Sequence, residues 1–173
     1  QPMIESADFE LLIGAKSDDP FGPILLFGAG GIFTEVVRDT SFGMPPLNRL
    51  LARRMMENTR IHPLLQQGYR NRSPVDGEQL EEMLVRLSQL VVDFPQILEL
   101  DMNPVIVKDG RAVAVDAGVI VKSTEKRPPD HLVISPYPAQ YEFQDKTTDG
   151  TEIRIRPIRP EDAPLFDALF ESL

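Results

Sequence analysis

Residues 99–116 read Glu99-Leu100-Asp101-Met102-Asn103-Pro104-Val105-Ile106-Val107-Lys108-Asp109-Gly110-Arg111-Ala112-Val113-Ala114-Val115-Asp116. Asp109-Gly110 is a strong two-residue hairpin signal, because a type I′ turn needs positive φ at both central positions. About that turn, Lys108 faces Arg111, Ile106 faces Val113, and Asn103 faces Asp116. Directly opposed residues share one face of a sheet, with Cβ atoms roughly 5 Å apart. Alternation with period two puts Asp101 and Glu99 on the face of Asn103. The hairpin therefore gathers the Asp101 and Asp116 carboxylates and the Asn103 amide oxygen, with Glu99 at the edge. Hard oxygen donors of this kind suit Mg²⁺, which takes its remaining ligands from water and substrate phosphate. The bland alternative is an acidic edge strand kept soluble by its charge.

The flanking sequence supplies the layers. Residues 9–17 and 24–27 read as strands separated by the turn cluster Asp18-Asp19-Pro20-Phe21-Gly22-Pro23, and residues 32–38 read as a returning strand. Leu47 to Asn58 has a helical pattern, and residues 59–75 read mostly as loop. A second helix starts at the N-cap Asp76, with Gln79 three residues on as its capping-box partner. Leu80, Met83, Leu84, Leu87, Leu90, Val91 and Phe94 form its apolar stripe. The hairpin strands carry Val, Ile and Ala on both faces, as expected of a well-covered sheet. The fold class is thus α+β: a mostly antiparallel sheet with two packed helices over residues 1–121. Residues 122–150, rich in proline and without periodicity, read as a linker, and 151–173 as a strand and helix that open a second domain. In that segment Pro160 fits the first helical position, and Arg154, Arg156 and Arg159 read as a solvated face. Leu165, Phe166, Leu169, Phe170 and Leu173 form a stripe expected to lean on the first domain, to stay poorly ordered, or to mediate self-association as a homo-oligomer.

Bulk properties narrow the function. The chain has 173 residues, 42% of them hydrophobic, which is enough to bury a core. A net charge of −9 argues against nucleic acid as a partner, yet leaves a nucleotide open, since Mg²⁺ can mediate between carboxylate and phosphate. There is no cysteine, hence no disulfide framework and no thiol nucleophile, which fits a cytoplasmic protein. No apolar run approaches the ~18–20 residues that span a bilayer, so no membrane association is expected. The chain starts mid-pattern and stops within a helix, as a piece of a longer polypeptide would. Gly28-Ala29-Gly30-Gly31 follows a strand and invites a phosphate-loop reading through Gly30 and Gly31, with Glu35 as a polar partner. Phe33 stands where a dinucleotide fingerprint has its third glycine, and no Gly-Lys-Ser/Thr follows, so a tight turn with close backbone packing is the stronger reading. His62 and His131, the only histidines, have no partner at suggestive spacing and read as structural; Lys16 could reach a phosphate but reads first as a solvated strand lysine.

These residues together resemble a known family. Phe21-Gly22-Pro23, the stretch from Phe27 to Glu35, His62 to Arg70, Asp93-Phe94-Pro95 and Glu99 to Pro104 resemble the ATP-grasp domain of NDP-forming acyl-CoA synthetases over roughly residues 9–121. The likeness extends more remotely to the β subunit of succinyl-CoA synthetase. It implies the C-terminal lobe of an ATP-grasp fold, with Asn103, Asp116 and Asp101 at the Mg²⁺ of ATP or ADP. It further implies Asp101 facing a phosphohistidine as the catalytic carboxylate, and CoA or acetyl-CoA used elsewhere in the whole protein. The stretch from Thr151 to Ala163 resembles the opening strand and helix of a Gcn5-related N-acetyltransferase, here truncated, as in Pat-type bacterial protein lysine acetyltransferases. The resemblance then implies a multidomain protein that transfers acetyl from acetyl-CoA to protein lysine, with this lobe on the Mg-nucleotide side. The alternatives are an active NDP-forming synthetase (acyl-CoA, ADP and phosphate to carboxylic acid, ATP and CoA) and a non-catalytic interaction domain. On any of these readings the fragment alone is expected to catalyse nothing.

Overall fold

The computed structural model describes residues 6–18, 20–31, 38–70 and 72–172, in two compact units, residues 1–134 and 135–173. In the first unit, β1 (Phe9–Asp18), β2 (Gly22–Ala29) and β3 (Thr40–Gly43) precede three helices, α1 (Arg49–Glu57), α2 (His62–Gln67) and α3 (Gly77–Asp93). Then follow β4 (Ile97–Lys108), β5 (Arg111–Ala114) and β6 (Gly118–Val121). The sheet order is β3-β2-β1-β4-β5, with β6 also paired to β4, and every pairing is antiparallel.

Alternation along β1 and β2 sends Leu11, Ile13, Leu25 and Phe27 to one face, where all are fully buried. Val105 and Val107 of β4 join them, and the helices close the layer with Met55, Met56, Leu65, Leu80, Leu84, Leu87 and Val91. Among the described residues three helices cover this face, one more than the two expected. The additional helix, α2, lacks a side-chain cap of its own. The buried Asp39 supplies one from afar, accepting the Arg60 N–H and the Ile61 N–H at 2.7 Å each. The Asp76 carboxylate caps α3 as expected, accepting the Gln79 N–H at 3.2 Å. Gln79 is not its capping-box partner: its amide exchanges two hydrogen bonds with the backbone of Ala112 on β5 (2.8 and 2.9 Å).

The α3 stripe is also shifted. Leu90 and Phe94 are exposed, whereas Glu81, Ser88 and Val92 are buried. The helix packs on α1 as well as on the sheet. Ser88 Oγ accepts the Leu47 N–H at 2.7 Å, and Glu81 pairs with Arg53 of α1 at 2.7 Å. The expectation of a sheet covered on both faces fails too, since Val113, Val119, Ile120 and Val121 are all more than half exposed. Of the returning strand expected at 32–38, residues 32–37, Glu35 among them, lie outside the described residues. Arg38 is in no strand and has φ of 45°; the strand that pairs with β2 is β3.

In the second unit, β7 (Phe143–Lys146) and β8 (Glu152–Ile155) form a hairpin followed by α4 (Ala163–Glu171). β7 lies in the stretch expected to be linker, and α4 starts at Ala163 rather than Pro160 because residues 160–162 form a 3₁₀ turn. The arginines are paired, not merely solvated. Arg156 binds Asp162 at 2.7 Å, Arg154 and Arg159 both bind Glu142, and Arg159 lies 4.4 Å over the Tyr137 ring. The described stripe residues Leu165, Phe166, Leu169 and Phe170 are 40–68% exposed. Among the described residues, no helix is long and apolar enough to cross a membrane.

Candidate functional site

The face of the first sheet opposite the helices is open, and strand register writes its chemistry in rows. One row runs Phe42, Leu26, Gly14, Asp101, Gly118 across β3, β2, β1, β4 and β6. The next runs Ile24, Lys16, Glu99, Ile120, and on the other side lie Thr40, Gly28 and Leu12. Strands lie ~4.8 Å apart, so Phe42 and Asp101 stand roughly 14 Å from each other across the face. A groove of about 600 Å³ follows these rows, lined at one end by Ile24, Leu26, Phe42 and Met44 and at the other by Lys16, Glu99 and Asp101. Gly14 sits between the two ends. A Cβ there would come within 2.8 Å of Leu100 O and 3.5 Å of Asp101 Oδ1, so glycine is what lets β1 and β4 close up beneath the groove.

The hairpin forms as read, with φ of 49° at Asp109 and 79° at Gly110, and with Lys108 paired to Arg111 and Ile106 to Val113. The ladder then breaks. β5 ends at Ala114 opposite Val105, and pairing resumes in the same frame with Asp101 opposite Gly118. Asn103 and Asp116 thus fall opposite one another in the gap between β5 and β6. On its other side β4 carries one residue more than β1, since Leu11 pairs with Val105 but Ile13 pairs with Met102. Pro104, without an N–H to donate, lies in this bulge. The bulge changes which residues face the core. Leu100 is buried before it and Val105 after it, so Glu99, Asp101 and Asn103 stay on the open face.

The carboxylates feel one another. Burial, then Glu99, then Asp116 push the Asp101 carboxyl above its usual range. Lys16 Nζ lies 3.5 Å from Glu99 Oε2, and Asp116 Oδ1 accepts the Ala117 N–H at 2.9 Å. Carboxylates close enough to disfavour each other's charge, on a hairpin that also carries Asn103, are a donor set that fits a hard cation. Among the described residues, no group of three or more His, Cys, Asp or Glu side chains forms a ready metal cage. Mg²⁺ needs none, because it is commonly held by one or two carboxylates with phosphate and water completing the shell.

The glycine loop is placed differently from the carboxylates. The Gly30 N–H donates to Glu10 O at 2.8 Å, and a Cβ on Gly30 would lie 2.8 Å from the Leu11 backbone. Gly31 has φ of 74°, and a Cβ there would meet Glu10 Oε2 at 2.3 Å. Close backbone packing explains Gly30, and a positive φ beside the Glu10 carboxylate explains Gly31. Sequence reasoning missed Gly14, Phe42, Met44 and the apolar end of the groove, because only strand pairing brings them together. Of the histidines, His131 Nε2 is bonded to Val91 O at 2.8 Å, in keeping with a structural role.

A family model described as an ATP-grasp domain matches residues 1–121. The chain belongs to the ATP-grasp family. It is 37% identical over 112 residues to the β subunit of acetate–CoA ligase (ADP-forming) I of Pyrococcus furiosus, covering 65% of this chain and 48% of that one. It is 45% identical over 100 residues to 4-hydroxybutyrate–CoA ligase (ADP-forming) of Nitrosopumilus maritimus, covering 58% of this chain and 14% of that one. The chain therefore spans half or less of the length of these relatives. Among solved structures it is similar to acetyl-coenzyme A synthetase 1 of Ca. Korarchaeum cryptofilum in complex with coenzyme A and Mg-AMPPCP. There the TM-score is 0.62 and the identity 38%, over 66% of this chain and 53% of that one.

These relatives correct the expected function. They are ADP-forming acid–CoA ligases and an acetyl-coenzyme A synthetase, and none of these matches points to an acetyltransferase, so transfer of acetyl to protein lysine is set aside. The short likeness from Thr151 onward was the whole basis of that expectation, and the family match ends at residue 121.

Proposed function

We propose that this ATP-grasp unit belongs to an ADP-forming acyl-CoA synthetase and supplies the metal–nucleotide side of its site. The reaction converts acyl-CoA, ADP and phosphate into carboxylic acid, CoA and ATP. What carries the reading is the order of groups along one groove: an apolar end at Leu26, Phe42 and Met44, a glycine floor at Gly14, then Asp101 and Glu99 at the acidic end. Asn103 and Asp116 lie further along the hairpin, outside the groove lining. A nucleoside diphosphate has that order of chemistry, with a planar base at one end and a metal-bound diphosphate at the other. Asn103, Asp116 and Asp101 would hold Mg²⁺; bound there, the metal offsets negative charge on the transferred phosphoryl group. Asp101, which lines the open groove, would be the carboxylate that faces that group. CoA is the co-substrate of the whole protein, as the coenzyme A bound by the solved relative supports, and the "subunit beta" among the relatives supports assembly with a second subunit or domain. The place of action is the cytoplasm.

The test is Asp116→Ala in the natural protein that carries this chain. MgADP is titrated calorimetrically, and ATP is followed alongside free acetate released from labelled acetyl-CoA. Supporting residues of a metal site cost roughly 10–100-fold in affinity, so loss of a ligand is expected to weaken MgADP binding at least about 100-fold. Asp116 is exposed and bonds only locally, so stability should move by no more than about 0.5 kcal/mol. Unchanged MgADP affinity would remove Asp116 from the site, and a wild-type protein that forms no ATP from MgADP and phosphate with acetyl-CoA or with any of a panel of other acyl-CoAs would remove the reaction.

A further inference from the structure

Lys16 is the only Lys, Arg or His among the described residues that line the groove, and it shares that lining with Asp18, Glu99 and Asp101. It lies one strand across and two residues along from Asp101, a separation of about 8 Å between Cα atoms. Its ammonium, on a flexible four-carbon stem, is held by one contact, Glu99 Oε2 at 3.5 Å, and the side chain is 71% exposed. Among the described residues nothing else binds it, and the length of its stem lets it turn from Glu99 toward Asp101 on the neighbouring strand.

We infer, on the basis of the nucleotide reading above, that Lys16 binds a phosphate oxygen of the diphosphate held in this groove, exchanging its Glu99 partner for the ligand. The charge balance within this groove favours such a group. An anionic diphosphate carries more negative charge than one divalent cation offsets, and the surrounding wall is acidic. The Gly30 amide is already committed to Glu10 O, so the glycine loop does not offer that donor in its place. A lysine serves this purpose as a mobile point charge, and Glu99 parks it beside the groove when no phosphate is present.

The experiment compares wild type, Lys16→Met and Lys16→Arg in the natural protein, titrating MgADP and, separately, adenosine. Hydrogen bonds to charged groups are worth about 10- to 100-fold in affinity, so Lys16→Met is expected to weaken MgADP binding at least 10-fold. Adenosine, which has no phosphate, should bind all three proteins alike, and Lys16→Arg should restore most of the MgADP affinity. Raising the salt concentration should weaken MgADP binding more steeply in wild type than in Lys16→Met. Equal MgADP affinity in wild type and Lys16→Met would overturn the inference, as would a parallel loss for adenosine. Failure of wild type itself to bind MgADP would refute the nucleotide reading, and this inference with it.

Discussion

Replacing Asp39 by alanine should unlatch α2, and the size of the effect follows from what that carboxylate touches. Asp39 is 8% exposed, and each of its oxygens accepts one backbone N–H at 2.7 Å, from Arg60 and from Ile61. Those donors stand at the start of a six-residue helix whose N-cap residue, Ile61, offers no side-chain acceptor. A hydrogen bond to a charged group contributes about 1.5–3 kcal/mol, and the carboxylate also sits at the positive end of the helix dipole. Two such bonds would give up to about 6 kcal/mol if both donors stayed dry. Arg60 is exposed, so water can reach its N–H after truncation, and a loss of about 3 kcal/mol is expected. For a unit of this size that corresponds to a fall in Tm of roughly 10 °C. Denaturant unfolding followed by far-UV circular dichroism gives the free energy, and hydrogen exchange at Arg60 and Ile61 gives the local effect. Asp39→Asn should lose about half as much, because one oxygen remains. A loss below about 1 kcal/mol for Asp39→Ala, with exchange at Arg60 unchanged, would show that the cap is not what holds α2.

Two further outcomes can be measured in the same way. Gln79→Ala removes both amide bonds between α3 and Ala112, so it should cost about 1–2 kcal/mol and speed hydrogen exchange at Ala112 without altering exchange in β1; equal protection of Ala112 in the variant would count against this. The second unit should be acid-sensitive. Arg154, Tyr137 and Arg159 hold the Glu142 carboxyl at about 2, and Arg156 with the Arg159 backbone holds Asp162 at about 2. Both groups bind protons more weakly folded than unfolded, so their stabilisation is present above the usual carboxylate range and fades as pH falls from about 4.5 toward 2. Near-UV circular dichroism of Tyr137 and Tyr141 should follow that loss, and a flat signal across this window would contradict it.

The hairpin was legible because its determinants are local. Asp109 and Gly110 need nothing beyond themselves to favour positive φ, and alternation carries the pairing outward from them. The frame survives even the break at Asn103 and Pro104, which is why counting from the turn still sets Asn103 against Asp116. The misses share a different cause. The strand Thr40–Gly43 that pairs with β2 has little intrinsic preference and is formed by its neighbour. α2 looked like loop because its cap lies more than twenty residues upstream, on Asp39. Gln79 fits the capping-box pattern, and only the arrival of β5 gives it a better pair of partners. Arg154, Arg156 and Arg159 likewise look solvated until Glu142 and Asp162 fold back on them.

The position of the glycines bears on how such an acidic chain can bind an anion at all. A phosphate loop works by presenting free amides, and that requires a backbone held away from its neighbours. Gly30 does the reverse: it brings the chain into contact with Leu11 and spends its N–H on Glu10. The open face instead collects carboxylates at Asp101, Asp116 and Glu99, an arrangement that repels phosphate unless cations stand between. On the proposed reading, a metal at the hairpin and the ammonium of Lys16 are the cations that the described residues of this face would recruit, one exchangeable and one covalently attached. On that reading, selectivity for a metal-bound nucleotide over the free anion would follow from the sheet itself, because carboxylates that held the metal would repel phosphate arriving without it.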